Sequence, residues 1–180
     1  MINLNTKILN KMVLGVSTES NRYYLNGIHV FDRDGRRVYE ATDGHVCFRA
    51  VADIDGDPLE SDYILKIQTA LKSKAPAQEM ILADPDTVVL KSDIKLAVDV
   101  IDGTFPTVDN IIPKNREIAT LYTAFDPDLT KKLVKFHGEL NILNQRPIME
   151  GDNCPAMWEF TEDGVDYMAL IMPLKVEKIA

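Results

Sequence analysis

Histidine, cysteine and serine are the side chains of this 180-residue chain that could carry nucleophilic or metal-assisted chemistry. His29, His45 and His137 stand in three separate segments and form no HxH or HExxH pattern, and Cys47 and Cys154 form no CxxC pair. No serine occupies a GxSxG elbow, and no glycine-rich phosphate-binding motif occurs. The sequence therefore predicts no catalytic centre, no metal site and no cofactor.

Aspartates are numerous, but many stand next to glycine or proline, as in DRDG, DIDGD and DPD. Such dipeptides are typical of turns, in which the carboxylate bonds to the nearby backbone. The segment DIDGDPLE (53–60) is superficially like a calcium loop, but it lacks the bidentate glutamate at the twelfth position. We interpret these aspartates as turn residues rather than as general acids or calcium ligands.

The composition allows a folded core and gives no sign of a membrane segment. Hydrophobic residues make up 46% of the chain, which is enough for one or two small domains. The N-terminus lacks an uninterrupted apolar segment, and no stretch approaches the roughly 18 apolar residues of a membrane span. We expect no signal peptide, no membrane partner, a cytoplasmic location and two free thiols.

The charges are unevenly distributed along the chain. The formal net charge is −8, which argues against general affinity for nucleic acid. Yet three windows, 4–17, 66–74 and 129–138, contain no acid, and all 28 acids share the rest of the chain with 12 Lys and Arg. The windows hold the other eight cations: Lys7, Lys11, Lys66, Lys72, Lys74, Lys131, Lys132 and Lys135.

The same three windows are the best helix candidates. The first has apolar residues at helical spacing from Ile8 to Val16, with Asn5 or Thr6 as the N-cap. The third begins after Asp126-Pro127, buries Leu129, Leu133 and Phe136, and ends at Gly138. The second, QTALKSKA, is shorter and ends before Pro76.

β-Rich runs separate the helices, and Asp-Gly at 34–35, 43–44 and 163–164 predicts tight turns between them. The pattern is a strand, a short helix and three antiparallel strands, repeated three times at a period of roughly 55 to 65 residues. RYYLNGIHVFD (22–32) is predicted to be the first strand after the first helix, and the last set of three strands is NILNQRP, PAMWEFTE and DYMALIMPL. The fold class is therefore α+β, although an ordinary α+β domain with accidental similarity between segments is an alternative.

Five segments, taken in order along the chain, resemble motifs of the bacterial DNA polymerase III beta sliding clamp family. Each motif alone is weak, but the five occur in the order of the family and span most of the chain, from residue 20 to residue 176. They are SNRYYLNG (20–27), ATDGH (41–45), DGTFPTVDNIIPKN (102–115), FDPDLTKKLVK (125–135) and YMALIMPLKV (167–176).

The resemblance implies the DNA-clamp fold, with antiparallel sheets outside and helices lining one face. It also implies that 1–115 is a complete clamp domain like the middle domain of the family. Residues 116–180 would be half a clamp domain, like the second half of the last one.

The resemblance further implies a hydrophobic groove that accepts short peptides from DNA polymerase and the clamp loader. Position by position, it would comprise Leu25, Thr42, Gly44, His45, Cys47, Pro113, Leu170, Met172, Pro173 and Leu174. Gly44 would let a peptide approach the backbone, and His45 would be a groove wall rather than a catalyst. The run from Val46 to Arg49 departs from the Arg-Leu-Ala of the family, which affects the shape of the groove. For Met172 and Leu174 an ordinary strand core is the alternative.

In the clamp family the helices line a central hole, which would explain the acid-free windows. The residues expected to face duplex DNA are Lys7, Lys11, Lys72, Lys74, Lys131, Lys132 and Lys135. Contacts to phosphate carry no sequence information, as a sliding protein requires. Solvated faces of ordinary amphipathic helices are the alternative, although those would normally mix both signs.

Three units per chain suggest how copies could close a ring. In the clamp family, a ring is built from twelve such units, which pair two to a domain. An odd number of units per chain leaves the third unit without a partner in its own chain. Two third units can pair about a two-fold axis, so four chains would supply twelve units. We therefore expect a homotetrameric ring.

The favoured function is a non-enzymatic processivity factor that encircles duplex DNA and tethers a polymerase. The alternative is a clamp-like interaction module, or an inhibitor, that binds clamp-binding peptides or a host clamp without closing on DNA. A small hydrolase is the least favoured class.

Overall fold

The computed structural model describes residues 3–67, 79–84, 87–90, 95–116, 123–151 and 153–174. This part contains two α-helices, α1 (Thr6–Met12) and α2 (Pro127–His137). Its strands are β1 (Asn3–Asn5), β2 (Ile28–Arg33), β3 (Arg36–Thr42), β4 (Val46–Asp53), β5 (Tyr63–Ile67), β6 (Glu79–Asp84), β7 (Thr87–Leu90), β8 (Lys95–Val100), β9 (Ala156–Glu162) and β10 (Val165–Ile171). Short 3-10 helices occupy Val13–Gly15, Tyr23–Leu25, Val108–Ile111 and Leu140–Asn144.

Helix α1 begins where the sequence predicts and ends sooner. The Asn5 side chain caps it by accepting hydrogen bonds from the backbone N–H groups of Lys7 at 2.9 Å and Ile8 at 3.2 Å. Ile8 and Met12 are fully buried, and the chain tightens into a 3-10 turn at Val13.

Helix α2 confirms the predicted start and stop. Asp126 accepts a hydrogen bond from the Asp128 N–H at 2.7 Å, and Pro127 occupies the first turn. Leu133 and Phe136 are buried, and Gly138 closes the helix in the left-handed conformation with φ of 99°. The predicted second helix, with Lys72 and Lys74, lies outside the described residues.

The strands form one ten-stranded antiparallel sheet in the order β1-β6-β7-β8-β5-β2-β3-β4-β10-β9. The β2–β3 and β9–β10 hairpins turn at the predicted Asp-Gly pairs. Both residues of each pair have positive φ: 52° and 74° at Asp34-Gly35, and 51° and 77° at Asp163-Gly164. The first two predicted units exchange strands, because β1 pairs with β6 and β5 pairs with β2.

Two strand predictions are wrong. Tyr23–Leu25, expected inside a strand, forms a 3-10 turn, and β2 begins only at Ile28. NILNQRP, expected as the first of three strands after α2, forms a 3-10 helix over Leu140–Asn144 followed by a single bridge between Ile148 and Met157. Asparagine has low strand propensity, and Ile142 alone of this run is buried, so the segment has no alternating apolar face.

The sheet separates two hydrophobic clusters. Phe48 faces the helices, where its ring stacks on Phe136 at 4.1 Å. Cys47 and Leu170, which are partners in the β4–β10 ladder, belong to the smaller cluster on the opposite face. The sheet thus presents a helix-covered face and an outer face, and each carries one of the predicted sites.

Candidate peptide groove and helix face

The ATDGH loop between β3 and β4 is held by its own side chains. Thr42 Oγ1 donates to the Val46 carbonyl at 2.7 Å and accepts from the Gly44 N–H at 3.0 Å. Asp43 Oδ1 accepts from the N–H groups of His45 at 2.8 Å and Val46 at 2.9 Å. Gly44 has φ of 92°, a conformation that glycine adopts without steric cost. These hydrogen bonds therefore fix the conformation of the loop.

The segment 170–174 lies beside the ATDGH loop. Leu170 and Ile171 pair with Cys47 and Val46 in the β4–β10 ladder. The Met172 N–H then donates to the His45 carbonyl at 2.9 Å, which extends the pairing to the loop itself. The backbone thus brings the two segments that carry the predicted groove side by side.

The predicted groove residues divide into a buried floor and an exposed rim. Leu25, Cys47 and Leu170 are at most 3% exposed and lie in the outer-face cluster, and Thr42 and Pro113 are also buried. Met172 and Leu174 are 39% and 47% exposed, which is not the environment of a strand core. Gly44 and His45 are exposed, and Pro173 is half-buried.

A charged network on the outer face was not predicted from the sequence. The His29 ring is sandwiched between Phe31 and Phe105, with centroids 4.6 and 4.8 Å away. Its Nδ1 lies 3.2 Å from the Glu40 carboxylate, and Glu40 also bonds to Arg49. The cross-strand pairs His29–Glu40 and Glu40–Arg49 could have been found from strand register.

Asp109 ties the segment after β8 to this network. It lies 2.5 Å from Arg49 and 2.7 Å from Arg33. Partial burial alone would raise the pKa of Asp109, but the two guanidinium groups outweigh it and hold that pKa below its usual value. Asp109 is 60 residues from Arg49, so no local pattern predicts the contact.

A cavity of about 730 Å³ lies between this network and the segment 101–109. Phe105 and Arg49 line it, together with both carboxylates that approach His29, those of Glu40 and Asp62. No predicted groove residue lines it, so it is a feature distinct from the groove.

The helix face brings most of the predicted DNA-facing cations into ion pairs. Lys7 contacts Glu162 at 3.5 Å and also Asp163, and Lys11 contacts Glu162. These acids lie at the β9–β10 turn, more than 150 residues along the chain.

Helix α2 carries the other described lysines that were predicted to face DNA. Lys132 reaches Asp43 of the ATDGH loop at 2.6 Å, and Lys131 contacts Asp128 at 2.8 Å but is 72% exposed. Lys135 is exposed and has no ion pair with any residue in the described part of the chain. Lys72 and Lys74 lie outside that part.

Neither a metal site nor a membrane span was found within the described ranges. No cluster of three or more His, Cys, Asp or Glu side chains there could bind a metal ion. No helix there has the length and apolar character needed to cross a bilayer.

Comparison with known proteins identifies the architecture. No protein-family model matches the chain. The chain is 32% identical over 143 residues to the beta sliding clamp of Caulobacter vibrioides, an alignment that covers 71% of this chain and 37% of that relative. The DNA polymerase III beta subunit of Thermotoga maritima superposes on 98% of this chain with a TM-score of 0.69 at 14% identity. The chain has the sliding-clamp fold.

A second solved structure agrees with the first. The beta chain of DNA polymerase III from Streptococcus pneumoniae covers 97% of this chain with a TM-score of 0.68 at 15% identity. The resemblance of the five sequence motifs to the beta sliding clamps is thus confirmed in both sequence and fold.

The chain spans only part of these clamps. It covers 37% of the Caulobacter relative, and 66% and 64% of the two solved chains.

Proposed function

We propose that this protein is a sliding-clamp-like processivity factor, which encircles duplex DNA and docks partner peptides without being an enzyme. The observation that carries the proposal is the pairing of the ATDGH loop with the Met172 segment on the outer face of a clamp-fold sheet. That arrangement offers an apolar docking site on one face and basic helices on the other.

The proposed domain division follows the strand pairing. Residues 1–115 would be one complete clamp domain, because their two units exchange β1 and β5. Residues 116–180 would be half a domain, joined to the first through the β4–β10 ladder. The groove would then lie at the junction between the two.

The proposed peptide groove has a floor of Leu25, Cys47 and Leu170 and a rim of Met172 and Leu174. Exposed, unbranched methionine adapts to different apolar partners, and the Asp43-held loop keeps the rim in place. The groove would accept the apolar residues of a short linear peptide from a polymerase or a clamp loader.

A peptide-binding experiment tests this groove. We expect the double substitution M172A/L174A to weaken binding of a fluorescent peptide that copies a polymerase clamp-binding tail by at least about tenfold, since a few residues that become buried in a complex carry most of its binding free energy. I111A is the matched control, because Ile111 is also an exposed apolar residue, at 44%, outside the predicted groove. If wild type, M172A/L174A and I111A bind the peptide equally well, the proposed groove is refuted.

The proposed DNA contact is electrostatic. Lys131 and Lys135 are exposed on α2 and would face duplex phosphate, while Lys72 and Lys74 stay predictions. We expect K131E/K135E to abolish DNA binding and to leave peptide binding unchanged. Loss of both activities together would instead indicate misfolding, which circular dichroism would reveal.

A second candidate function is favoured by one observation. Lys7, Lys11 and Lys132 are already paired with acids of the same chain, which lowers the charge available to DNA. An interaction module that captures clamp-binding peptides, or caps a host clamp, would need no such charge. It would bind the peptide as tightly as the clamp does, but K131E/K135E would change nothing.

A further inference from the structure

The turn between β9 and β10 places two carboxylates against the cations of α1. Asp163 and Gly164 have positive φ and form a tight turn, and Glu162 is the last residue of β9 before it. Both carboxylates therefore lie at the tip of the hairpin. Glu162 contacts both Lys7 and Lys11, and Asp163 contacts Lys7. Two negative and two positive charges therefore meet in one cluster on the helix face.

Aromatic rings hold Lys11 in this cluster. Its Nζ lies 4.6 Å from the ring centroid of Tyr167, 5.3 Å from that of Phe160 and 5.9 Å from that of Phe136. The Lys11 side chain is only 15% exposed, and its ammonium is directed to the rings and to Glu162. Aromatic packing as well as ion pairing thus holds the cluster in place, unlike an isolated ion pair on the surface.

The titration of the cluster agrees with its geometry. The hydrogen bond to Asp163 raises the pKa of Lys7, although slight burial works against it. The hydrogen bond from Lys11 lowers the pKa of Glu162, and that from Lys7 lowers the pKa of Asp163. These shifts favour the charged forms of Lys7, Glu162 and Asp163, which is the state in which the cluster is neutralised internally.

We propose that the Glu162-Asp163 tip acts as an internal phosphate mimic, which occupies Lys7 and Lys11 and competes with DNA for them. This inference rests on the proposed function, because it assumes that the helix face meets duplex DNA. A phosphate can replace a carboxylate in such a pair, but the freed carboxylates then lie close to the polyanion. Binding through α1 is therefore weakened while binding through Lys131 and Lys135 persists.

A lowered number of phosphate contacts has a measurable consequence. The logarithm of the DNA association constant falls with the logarithm of salt concentration by about 0.9 for each phosphate that is neutralised. Freeing two lysines per chain should therefore steepen that slope by up to about 2. Between 50 and 200 mM salt, this adds roughly a tenfold loss of affinity on top of the wild-type loss.

The test is E162Q/D163N, measured by fluorescence anisotropy with a short blunt duplex at several salt concentrations. We expect tighter binding than wild type at low salt and the steeper slope. The matched control is E159Q/D166N, which removes the same charge from the same hairpin. Glu159 and Asp166 contact Arg116 and Arg36 rather than α1, so we expect its slope to stay near wild type.

A further variant separates local competition from bulk charge. Adding K7Q/K11Q to E162Q/D163N should return the slope to the wild-type value, because no freed cation then remains on α1. Equal slopes for E162Q/D163N and E159Q/D166N would overturn the inference, as would weaker DNA binding by E162Q/D163N when its circular dichroism is native.

The outcome also distinguishes the two proposals. If wild type binds the duplex, and K131E/K135E abolishes this binding, an unchanged slope in E162Q/D163N overturns only the phosphate mimic. If neither wild type nor E162Q/D163N binds the duplex at the lowest salt, the proposed DNA contact fails and this inference fails with it.

Discussion

At the scale of single residues, Asp43 connects the proposed peptide groove to the lysine-bearing helix face. One carboxylate oxygen accepts the N–H groups of His45 and Val46, and the other contacts Lys132 of α2 at 2.6 Å. Burial alone would raise the pKa of Asp43, but these hydrogen bonds outweigh it and lower that pKa. The loop that carries part of the proposed groove is thus held by a helix on the opposite face of the sheet.

We expect D43N to lower the free energy of unfolding by about 1 kcal/mol at neutral pH, because it removes the charge from three charge-assisted hydrogen bonds. Denaturant titration measures this loss. D128N is the control, because the exposed Asp128–Lys131 pair at the start of α2 should contribute little. An equal loss in the two variants would contradict the assigned role of Asp43.

The pH dependence of the same variant has a definite sign. The pKa of Asp43 is lower in the folded chain than in the unfolded chain, so its contribution is present above the unfolded pKa of about 3.9 and is lost as the pH falls through the folded pKa. Unfolding of wild type and D43N should therefore differ most at neutral pH and converge in acid. A difference that grows in acid would contradict this assignment.

At the scale of elements, local chemistry in the sequence predicts the turns and helix ends well. Asp-Gly at 34–35 and 163–164, and the pair Asp126 and Gly138 that bounds α2, all act as their types predict. The failure at Leu140–Asn144 has a local cause, because one buried residue, Ile142, cannot define a strand face. The contacts of Asp109 and of Glu162 depend on tertiary structure, and no periodicity in the sequence encodes them.

The end of α2 gives an element-scale prediction. Gly138 has φ of 99°, and a Cβ there would meet no atom of the described residues within 4 Å, so G138A tests backbone strain alone. We expect a loss of about 1 kcal/mol in the free energy of unfolding. G151A should cost much less, because Gly151 lies outside the positive-φ region and its added methyl would meet Cys154 Sγ at an ordinary contact distance of 3.9 Å. Thermal denaturation of both variants would decide, and equal losses would contradict the assigned cap.

At the scale of the whole molecule, the third predicted unit differs from the first two in how it pairs with the rest of the sheet. Within the described residues it contributes α2, β9 and β10, and β9 is the last strand of the sheet. The first two units exchange β1 and β5, and the third unit has no such exchange partner among the described strands. We propose that the third unit of another copy is that mate.

Four chains of 20.2 kDa paired in this way would have a mass of about 81 kDa. Multi-angle light scattering measures that mass directly. A stable monomer, or a ring of three chains, would contradict the two-fold pairing of third units.

The most direct test of the central claim is retention on circular DNA. The protein is assembled on a nicked circular plasmid, isolated by gel filtration, and then treated with an enzyme that cuts the plasmid once. A closed ring should stay on the circle and slide off the linear ends. Equal retention before and after the cut, or no retention on the circle at all, would contradict the claim that this protein encircles DNA.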